Sequence, residues 1–597
     1  MCGIVGYVGN KSAQPILING LTNLEYRGYD SAGFATIENN KINVQKEVGR
    51  VKYLENISNK NISDSTIGIA HTRWATHGRA SKENAHPHLD NSNSFAVVHN
   101  GIIENYIELK DFLSKEGYTF LSETDTEVIP NLIHYYYNQS NNFLKAVDFS
   151  CRKLKGSYSI AIMCKFEPKK IIVAKKDSPL VIGKGNNEFY ISSDVAAVLS
   201  YTKDFYFIKD LELAEITREN ISFFDFDLKP ISKEIKRLDL DSNAAQKNGY
   251  EDYMLKEINE QPDAIRKTLQ EENNEFDYST IKSYNKIYII ACGTAMHAGL
   301  VGKKLFEELC RIPVEVDVAS EFRYRNAIID NKTLAIFISQ SGETADTISA
   351  LKLCKEKNAK TIAITNVIGS SITRQADYVF YTMAGPEIAV ASTKAYTSQI
   401  ALLAKMVINF AKELNYDSNK LKQIQEDLSK LPEQISQILR KTDHIKTIAK
   451  EIYSIKDAFY IGRGIDYCSS MEASLKIKEI AYVHSESYAS GELKHGSIAL
   501  IEDGIYVISI ITDSELKDKS ISNIQEVITR GAKSIVVTNQ NIDKSIFTHI
   551  IEIPKTNTLL SPILSVIPLQ LLAYYVAKEK GLDVDKPRNL AKSVTVE

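Results

Sequence analysis

The sequence predicts a multidomain α/β protein: two packed sheets with helices outside over residues 1–240, a linker over 241–262, and two parallel, doubly wound α/β units over 263–430 and 431–597. Three observations predict it. Residues 1–240 are dominated by short strand-like runs that break at Gly, Asn or Asp, and strands outnumbering helices favour sheet packed on sheet. Residues 231–262 turn polar before a helix-like run, as interdomain segments do. Beyond them a β-α-β rhythm occurs twice, with segments recurring at a spacing of about 172 residues.

In chain order, the strands of the first part are CGIVGYVG, DSAGFATIE, STIGIAHTR, SFAVVHNG, KGSYSIAIM, KKIIVAKK and NEFYISSD; ENYIELKDFLSKEG and TEVIPNLIHYYYNQS read as helices. In the second part KIYIIACGT is echoed by DAFYIGRG, TLAIFIS by GIYVISI, and AKTIAITN by AKSIVVTN. Parallel units of this kind place ligands beyond the carboxyl ends of their strands.

At 597 residues the chain is too long for one core. A net charge of -3 with both signs mixed gives no electrostatic case for nucleic acid or an anionic membrane. The seven cysteines are scattered and form no CxxC, which fits a reducing cytosol better than a disulfide framework or a zinc ribbon. No signal peptide or run of about 20 apolar residues is evident, so a cytoplasmic protein without a membrane span is expected.

Several stretches carry chemistry. In IFISQSGETADT a strand runs into Ser339, Gln340, Ser341 and Thr344 before a helix, which makes an anion site suited to phosphate. Ser and Thr there also cap helices, but four polar side chains in six residues exceed what a cap needs. No P-loop lysine follows, and a small phosphorylated metabolite is favoured over a nucleotide. On a helix, Glu472, Lys476 and Glu479 share one face: either a surface ion-pair stripe or an acid/base group facing a cleft, with His495 a second candidate. Five histidines, His71, His77, His86, His88 and His99, crowd into 71–99 without metal-ligand spacing, and no metal or organic cofactor is expected. HTRWATHG joins an arginine to the lone tryptophan, HNG could form an oxyanion hole, and TDTE offers Asp125 to an α-ammonium group.

Taken together, CGIVGY, LEYRGYDSAG, TRWATHG, HPH, HNGIIEN, SETDTE, SQSGETADT, VASTKAYTSQ, LKIKEIAYVHSESYASGELKHG and PRNLAKSVTVE resemble the glutamine–fructose-6-phosphate aminotransferase (isomerizing) family, the glucosamine-6-phosphate synthases, over essentially the full chain. The resemblance implies an N-terminal-nucleophile glutaminase domain of αββα type followed by two SIS (sugar isomerase) subdomains. It implies that Met1 is removed and that Cys2 attacks glutamine with its own α-amino group as base. Asn100 and Gly101 would form the oxyanion hole; Arg27, Arg73, Thr76, His77, His86 and Asp125 would line the glutamine site, and Trp74 would gate an ammonia channel. For the sugar, Ser339, Gln340, Ser341 and Thr344 would hold the phosphate and Thr294, Ser392 and Glu472 would line the site. Lys592 would form a Schiff base at C2, Glu479 would move the proton between C1 and C2 with Lys476 and Glu472 in support, and His495 would open the ring from the neighbouring subunit of a homodimer.

Two departures from the family pattern, Ala295 and Ser497, touch no bond-making group and are expected to alter sugar affinity at most. Another glutamine amidotransferase would need a phosphoribosyltransferase loop, which is not found. A sugar-phosphate sensor would have no use for Cys2, Lys592 or the glutaminase segments.

Overall fold

In a computed structural model of the chain, the described residues are 2–59, 63–75, 77–238, 247–272 and 276–595. The chain divides into two compact units, Met1–Asn243 with Ser593–Glu597, and Ala244–Lys592.

The first unit is two antiparallel sheets. Eight strands run in the order Lys236–Arg237, Asp204–Phe207, Val181–Lys184, Phe189–Ser192, Gly3–Val8, Ile67–Arg73, Ser31–Glu38, Lys41–Val48. Seven more run Pro230–Ile231, Ile221–Asp225, Glu212–Thr217, Lys170–Lys176, Gly156–Cys164, Phe95–Ile103, His88–Leu89. Strand side chains alternate between faces, which sorts neighbours into different cores. Ile4, Ile69, Val98, Ala161 and Val173 meet between the sheets. Val5 and Tyr7 face outward onto Leu17 and Leu21 of the helix Ala13–Leu24. Val97 and Ile160 face the other way, onto Ile129 and Leu132 of the helix Val128–Ser140. The layering is therefore helix, sheet, sheet, helix. Both helices expected from sequence form, at Tyr106–Lys115 and Val128–Ser140; the helix Ala13–Leu24 was not among those expected.

The second unit holds two five-stranded parallel sheets of the same topology. The first runs Val314–Val318, Lys286–Ala291, Thr333–Ser339, Lys360–Thr365, Tyr378–Tyr381. The second runs His484–Ala489, Asp457–Gly462, Tyr506–Ile511, Lys533–Thr538, His549–Glu552. These are the repeats read from sequence. Their strands are apolar on both faces because helices cover both, as parallel sheets require. Ile287 and Ile289 pack on the helix Gly293–Leu309, while Tyr288 and Ile290 face Ile348 and Leu351 of the helix Ala345–Glu356. The two copies share one core, to which the helices Lys394–Glu413, Ile465–Ala481 and Ser561–Glu579 all contribute.

The last of these corrects a sequence expectation. Segment Thr558–Glu579 is long and apolar enough to cross a membrane by length and composition, although no such run was expected; in the structure 89% of its most apolar window is buried inside the protein. A helix apolar on every side is the mark of a core helix as much as of a membrane span.

In the first parallel sheet the chain steps from Lys286–Ala291 to one neighbour and then returns to the other, Thr333–Ser339. The reversal opens a crevice beyond the carboxyl ends of these two strands, where Thr294 and the Ser339–Thr344 loop stand.

Candidate active site

Two polar clusters stand out, one in each unit. In the first, Cys2 precedes the strand Gly3–Val8, which pairs with Ile67–Arg73 and brings residue 2 beside Trp74. The Cys2 thiol accepts the Trp74 backbone N–H at 3.3 Å and lies 3.6 Å from the Trp74 carbonyl oxygen. Burial pushes this thiol above its ordinary pKa, against the pull of the Trp74 N–H and the Arg73 guanidinium. Asn100 arrives from the other sheet, and its Nδ2 donates to the Cys2 carbonyl oxygen at 3.1 Å. Gly101 follows at φ +139°, where a Cβ would stand 2.0 Å from the Ser157 carbonyl oxygen; only glycine tolerates that bend of the strand.

Arg73, 3% exposed, donates to the carbonyl oxygens of His77, Gly78 (3.1 Å) and Arg79 (3.3 Å), drawing the 77–79 loop over the strand end. Asp125 is buried, with one carboxylate oxygen accepting the Ile103 N–H at 2.7 Å. The half-buried His77 ring meets Tyr106 edge to face at 5.6 Å, and Trp74 meets Tyr29 edge to face at 5.9 Å. Arg27 is buried and paired with Asp194 at 2.7 Å. Thr76 lies outside the described residues. His86 stacks on His71 at 4.0 Å, one ring away from Asn100, within a buried group that includes His88 and His99. Burial lowers the pKa of all four rings, that of His71 to about 3. Neutral imidazoles packed ring on ring explain the histidine crowding, and among the described residues no group of three or more His, Cys, Asp or Glu could hold a metal ion.

In the second unit, Ser339 ends its strand and Thr344 precedes the helix Ala345–Glu356. Their hydroxyls are 2.9 Å apart, and the Gly342 N–H donates to the Ser339 Oγ at 3.0 Å. The Glu343 N–H donates to the Ser341 Oγ at 3.2 Å, and the Gln340 carbonyl oxygen accepts the Asn366 N–H. Gly342 at φ +66° lies so close to Ser370 that a Cβ would be 2.1 Å from its hydroxyl. The loop thus folds tightly over the helix N-terminus, whose first-turn N–H groups have no intrahelical acceptors.

Glu472, Lys476 and Glu479 share one face of the helix Ile465–Ala481, and this face is internal. Lys476 and Glu472 are fully buried; the Lys476 Nζ lies 3.4 Å from Glu472, 2.5 Å from Glu479 and 3.1 Å from the Thr294 hydroxyl. Burial disfavours the Lys476 ammonium, but the two carboxylates outweigh it and raise its pKa. Glu479 moves the other way from an exposed acid: burial raises its pKa, with Lys476 opposing. Thr294 also donates to Glu472 at 3.1 Å, and His297, which the sequence reading did not single out, faces the other Glu472 oxygen at 2.8 Å.

Lys592, near the end of the chain, is 3% exposed at its side chain; its Nζ donates to Glu387 at 2.5 Å and to the Ser392 hydroxyl at 3.2 Å. Glu387 was also missed. It accepts the Thr393 and Ala395 N–H groups at 2.9 and 3.0 Å, and these with Lys592 hold it as a carboxylate against its burial. Its neighbour Glu257 is pushed by burial and by Glu387 to about 8. The signal for Glu387 was a single acid in the small and apolar run AGPEIAVAS; for His297 it was the spacing of three residues from Thr294. His495 ends a short 3-10 turn, Glu492–His495, and is exposed, unlike the other sugar-site candidates.

Family comparison matches residues 71–200 to a glutamine amidotransferase domain and residues 280–408 and 451–579 to SIS domains. The chain is 52% identical over 612 residues to the glutamine–fructose-6-phosphate aminotransferase [isomerizing] of Clostridium perfringens, covering all of both chains. It is 46% identical over 621 residues to that of Methanosarcina acetivorans, again covering all of both. Among solved structures, the C-terminal domain of glucosamine-fructose-6-phosphate aminotransferase from Francisella tularensis is 38% identical with a TM-score of 0.55, covering 57% of this chain and 100% of that one.

Proposed function

The chain belongs to the glutamine–fructose-6-phosphate aminotransferase (isomerizing) family, and we propose how its residues divide that reaction between them. The enzyme moves the amide nitrogen of L-glutamine to D-fructose 6-phosphate and isomerises the product, giving D-glucosamine 6-phosphate and L-glutamate.

In the first unit Cys2 is the nucleophile. Its raised pKa keeps it a thiol at rest, so attack needs a base, and the α-amino group freed by loss of Met1 has a pKa of about 7.7–8.0, suited to take the thiol proton and return it to the leaving nitrogen. Asn100 Nδ2 and the Gly101 N–H receive the negative charge that develops on the amide oxygen. Arg73 takes the α-carboxylate of glutamine and Asp125 the α-ammonium, with Thr76 and His77 closing the site and Trp74 gating the exit of ammonia. Behind the site, Arg27 pairs with Asp194, while His86 accepts the His99 N–H and stacks on His71.

In the second unit Ser339, Gln340, Ser341 and Thr344 hold the phosphate at the helix N-terminus. At the position equivalent to Ser341 the second copy carries Asp513, whose carboxylate would repel a phosphate, so one copy binds the sugar. Thr294 and Ser392 bind its hydroxyls. Lys592 attacks C2 and loses water to form a Schiff base, and ammonia then replaces the lysine nitrogen at C2 and frees Lys592. Glu479 carries the proton between C1 and C2, its basicity set by Lys476 and, behind it, Glu472. His495 opens the sugar ring of the neighbouring subunit in a homodimer, a role its exposure supports. Seven free cysteines fit a cytosolic location.

The observation that carries this reading is the burial of Lys592. Burying a lysine costs free energy, and the Glu387 carboxylate that offsets this cost holds the Nζ beside Ser392, a candidate sugar contact. Incubation with amide-15N-glutamine and fructose 6-phosphate tests it. Label is expected in hexosamine 6-phosphate, and borohydride should trap fructose 6-phosphate on Lys592. Cys2→Ala should abolish the label and leave the trapping; label without trapping would remove Lys592 from the mechanism.

A further inference from the structure

An asparagine side chain donates to an oxyanion only if its Nδ2, and not its Oδ1, faces the reacting carbon. The two ends of a carboxamide are nearly the same size, so packing alone does not choose between them. We propose that His71 is the positioning residue that makes this choice for Asn100; the inference rests on the reading of Asn100 as an oxyanion donor.

His71 lies on the strand Ile67–Arg73, fully buried, with its Nε2 2.9 Å from the His99 carbonyl oxygen and 3.0 Å from the Asn100 Oδ1. A carbonyl oxygen only accepts, so the Nε2 must carry hydrogen. The His71 Nδ1 is buried with no hydrogen-bond partner. An orphaned Nδ1 costs less as a bare lone pair than as a buried N–H, so one proton sits on this ring, at Nε2. That N–H now faces Asn100. It donates to the Oδ1 and has no pairing with the NH2 group, because a turned amide would set N–H against N–H. With the Oδ1 held by His71, the Nδ2 faces Cys2, whose carbonyl oxygen it meets at 3.1 Å.

The ring itself is fixed. His86 stacks on it at 4.0 Å with planes 17° apart, and His86 Nδ1 accepts the His99 N–H at 3.3 Å. The ring's partners are the His99 carbonyl, the Asn100 amide and the His86 ring, so its route to the reaction runs through Asn100.

Glutamate release by the full chain, with fructose 6-phosphate present, tests the proposal in four variants. Asn100→Ala should lower kcat by about 10²–10³-fold, the usual loss for one oxyanion donor. His71→Leu, which fills the space but offers no N–H, should lower kcat by about 10–100-fold with KM for glutamine within about twofold. His71→Gln, whose Nε2 can take the place of the imidazole Nε2, should restore most of the loss. The double variant His71→Leu/Asn100→Ala should be no slower than Asn100→Ala, since two residues acting through one donor do not add. Alkylation of Cys2 by iodoacetamide forms no oxyanion and should proceed at the wild-type rate throughout.

Additive losses in the double variant, or a slow Asn100→Ala beside an unaffected His71→Leu, would overturn the role of His71. A near-normal Asn100→Ala would instead remove the oxyanion reading on which it rests. Slowed alkylation in both His71 variants would make His71 a packing residue for the nucleophile.

Discussion

Replacing Lys476 by methionine should destabilise the Ala244–Lys592 unit by about 3–5 kcal/mol at neutral pH, the range seen when one partner of a buried ion pair is removed. Methionine fills nearly the same volume, so a cavity is not the cause. The loss comes from two carboxylates left without their cation: Glu472, with a fully buried side chain, and Glu479, 20% exposed. Glu472 keeps the Thr294 hydroxyl and the His297 ring as hydrogen-bond partners, so the loss should fall toward the lower end of that range. The sign of the pH dependence follows. Without the lysine that opposes it, the rise that burial imposes on the Glu479 carboxyl grows, so its folded pKa lies above its unfolded value of about 4.3 and the folded state binds more protons than the unfolded chain. The variant should therefore regain stability as pH falls from 7 toward 5. The wild-type Lys476, whose folded pKa is raised, contributes stability that is complete below its unfolded pKa of about 10.4, so it adds no slope in that window. Urea unfolding followed by circular dichroism measures the effect, and emission from Trp74, the lone tryptophan, follows the other unit as a control. A Lys476→Met midpoint equal to wild type, or a deficit larger at pH 5 than at pH 7, would show that Lys476 is not the cation that stabilises these carboxylates.

Other outcomes are expected. Gly101→Ala should abolish glutamate release, since φ +139° and a Cβ 2.0 Å from the Ser157 oxygen force the strand to move; normal release would show that the bend is not needed. Burial raises the Asp466 carboxyl to about 6, so the folded state holds a proton that the unfolded chain loses near 4, and the wild type should lose about 2–3 kcal/mol between pH 4 and 6. Asp466→Asn lacks that loss, and paired urea titrations at the two pH values should show its stability gaining on wild type by that amount. If His495 acts across the proposed homodimer, His495→Ala and Lys592→Ala, each inactive, should recover roughly a quarter of wild-type activity when mixed and reassembled, because each mixed pair would hold one intact site; no recovery would place His495 in the site of its own subunit.

Much of this was legible in the amino-acid order because the signals are local. A strand running into Ser339–Thr344 and a helix needs only adjacent residues to be read as an anion site. The two parallel units announced themselves as the same strand patterns met twice. The Glu472–Lys476–Glu479 face follows from helical spacing, although spacing alone left open whether it met water or a cleft. The apolar helix Ser561–Glu579 shows the limit: its composition suits a membrane or a core, and only the helices packed around it decide.

From local order alone came most strands of the first unit and two of its helices, the duplication of the parallel unit, and the residue types that stand ready for chemistry. Tertiary structure decided their states. Lys592 meets Glu387 across 205 positions and Glu472 meets His297 across 175, pairs that no local pattern announces. Whether a lysine is charged, a carboxyl protonated or an amide turned depends on water excluded and partners supplied by distant segments. That is why Cys2 could be found at the front of the chain, while the imidazole that orients the asparagine beside it could be found only once two sheets had been laid face to face.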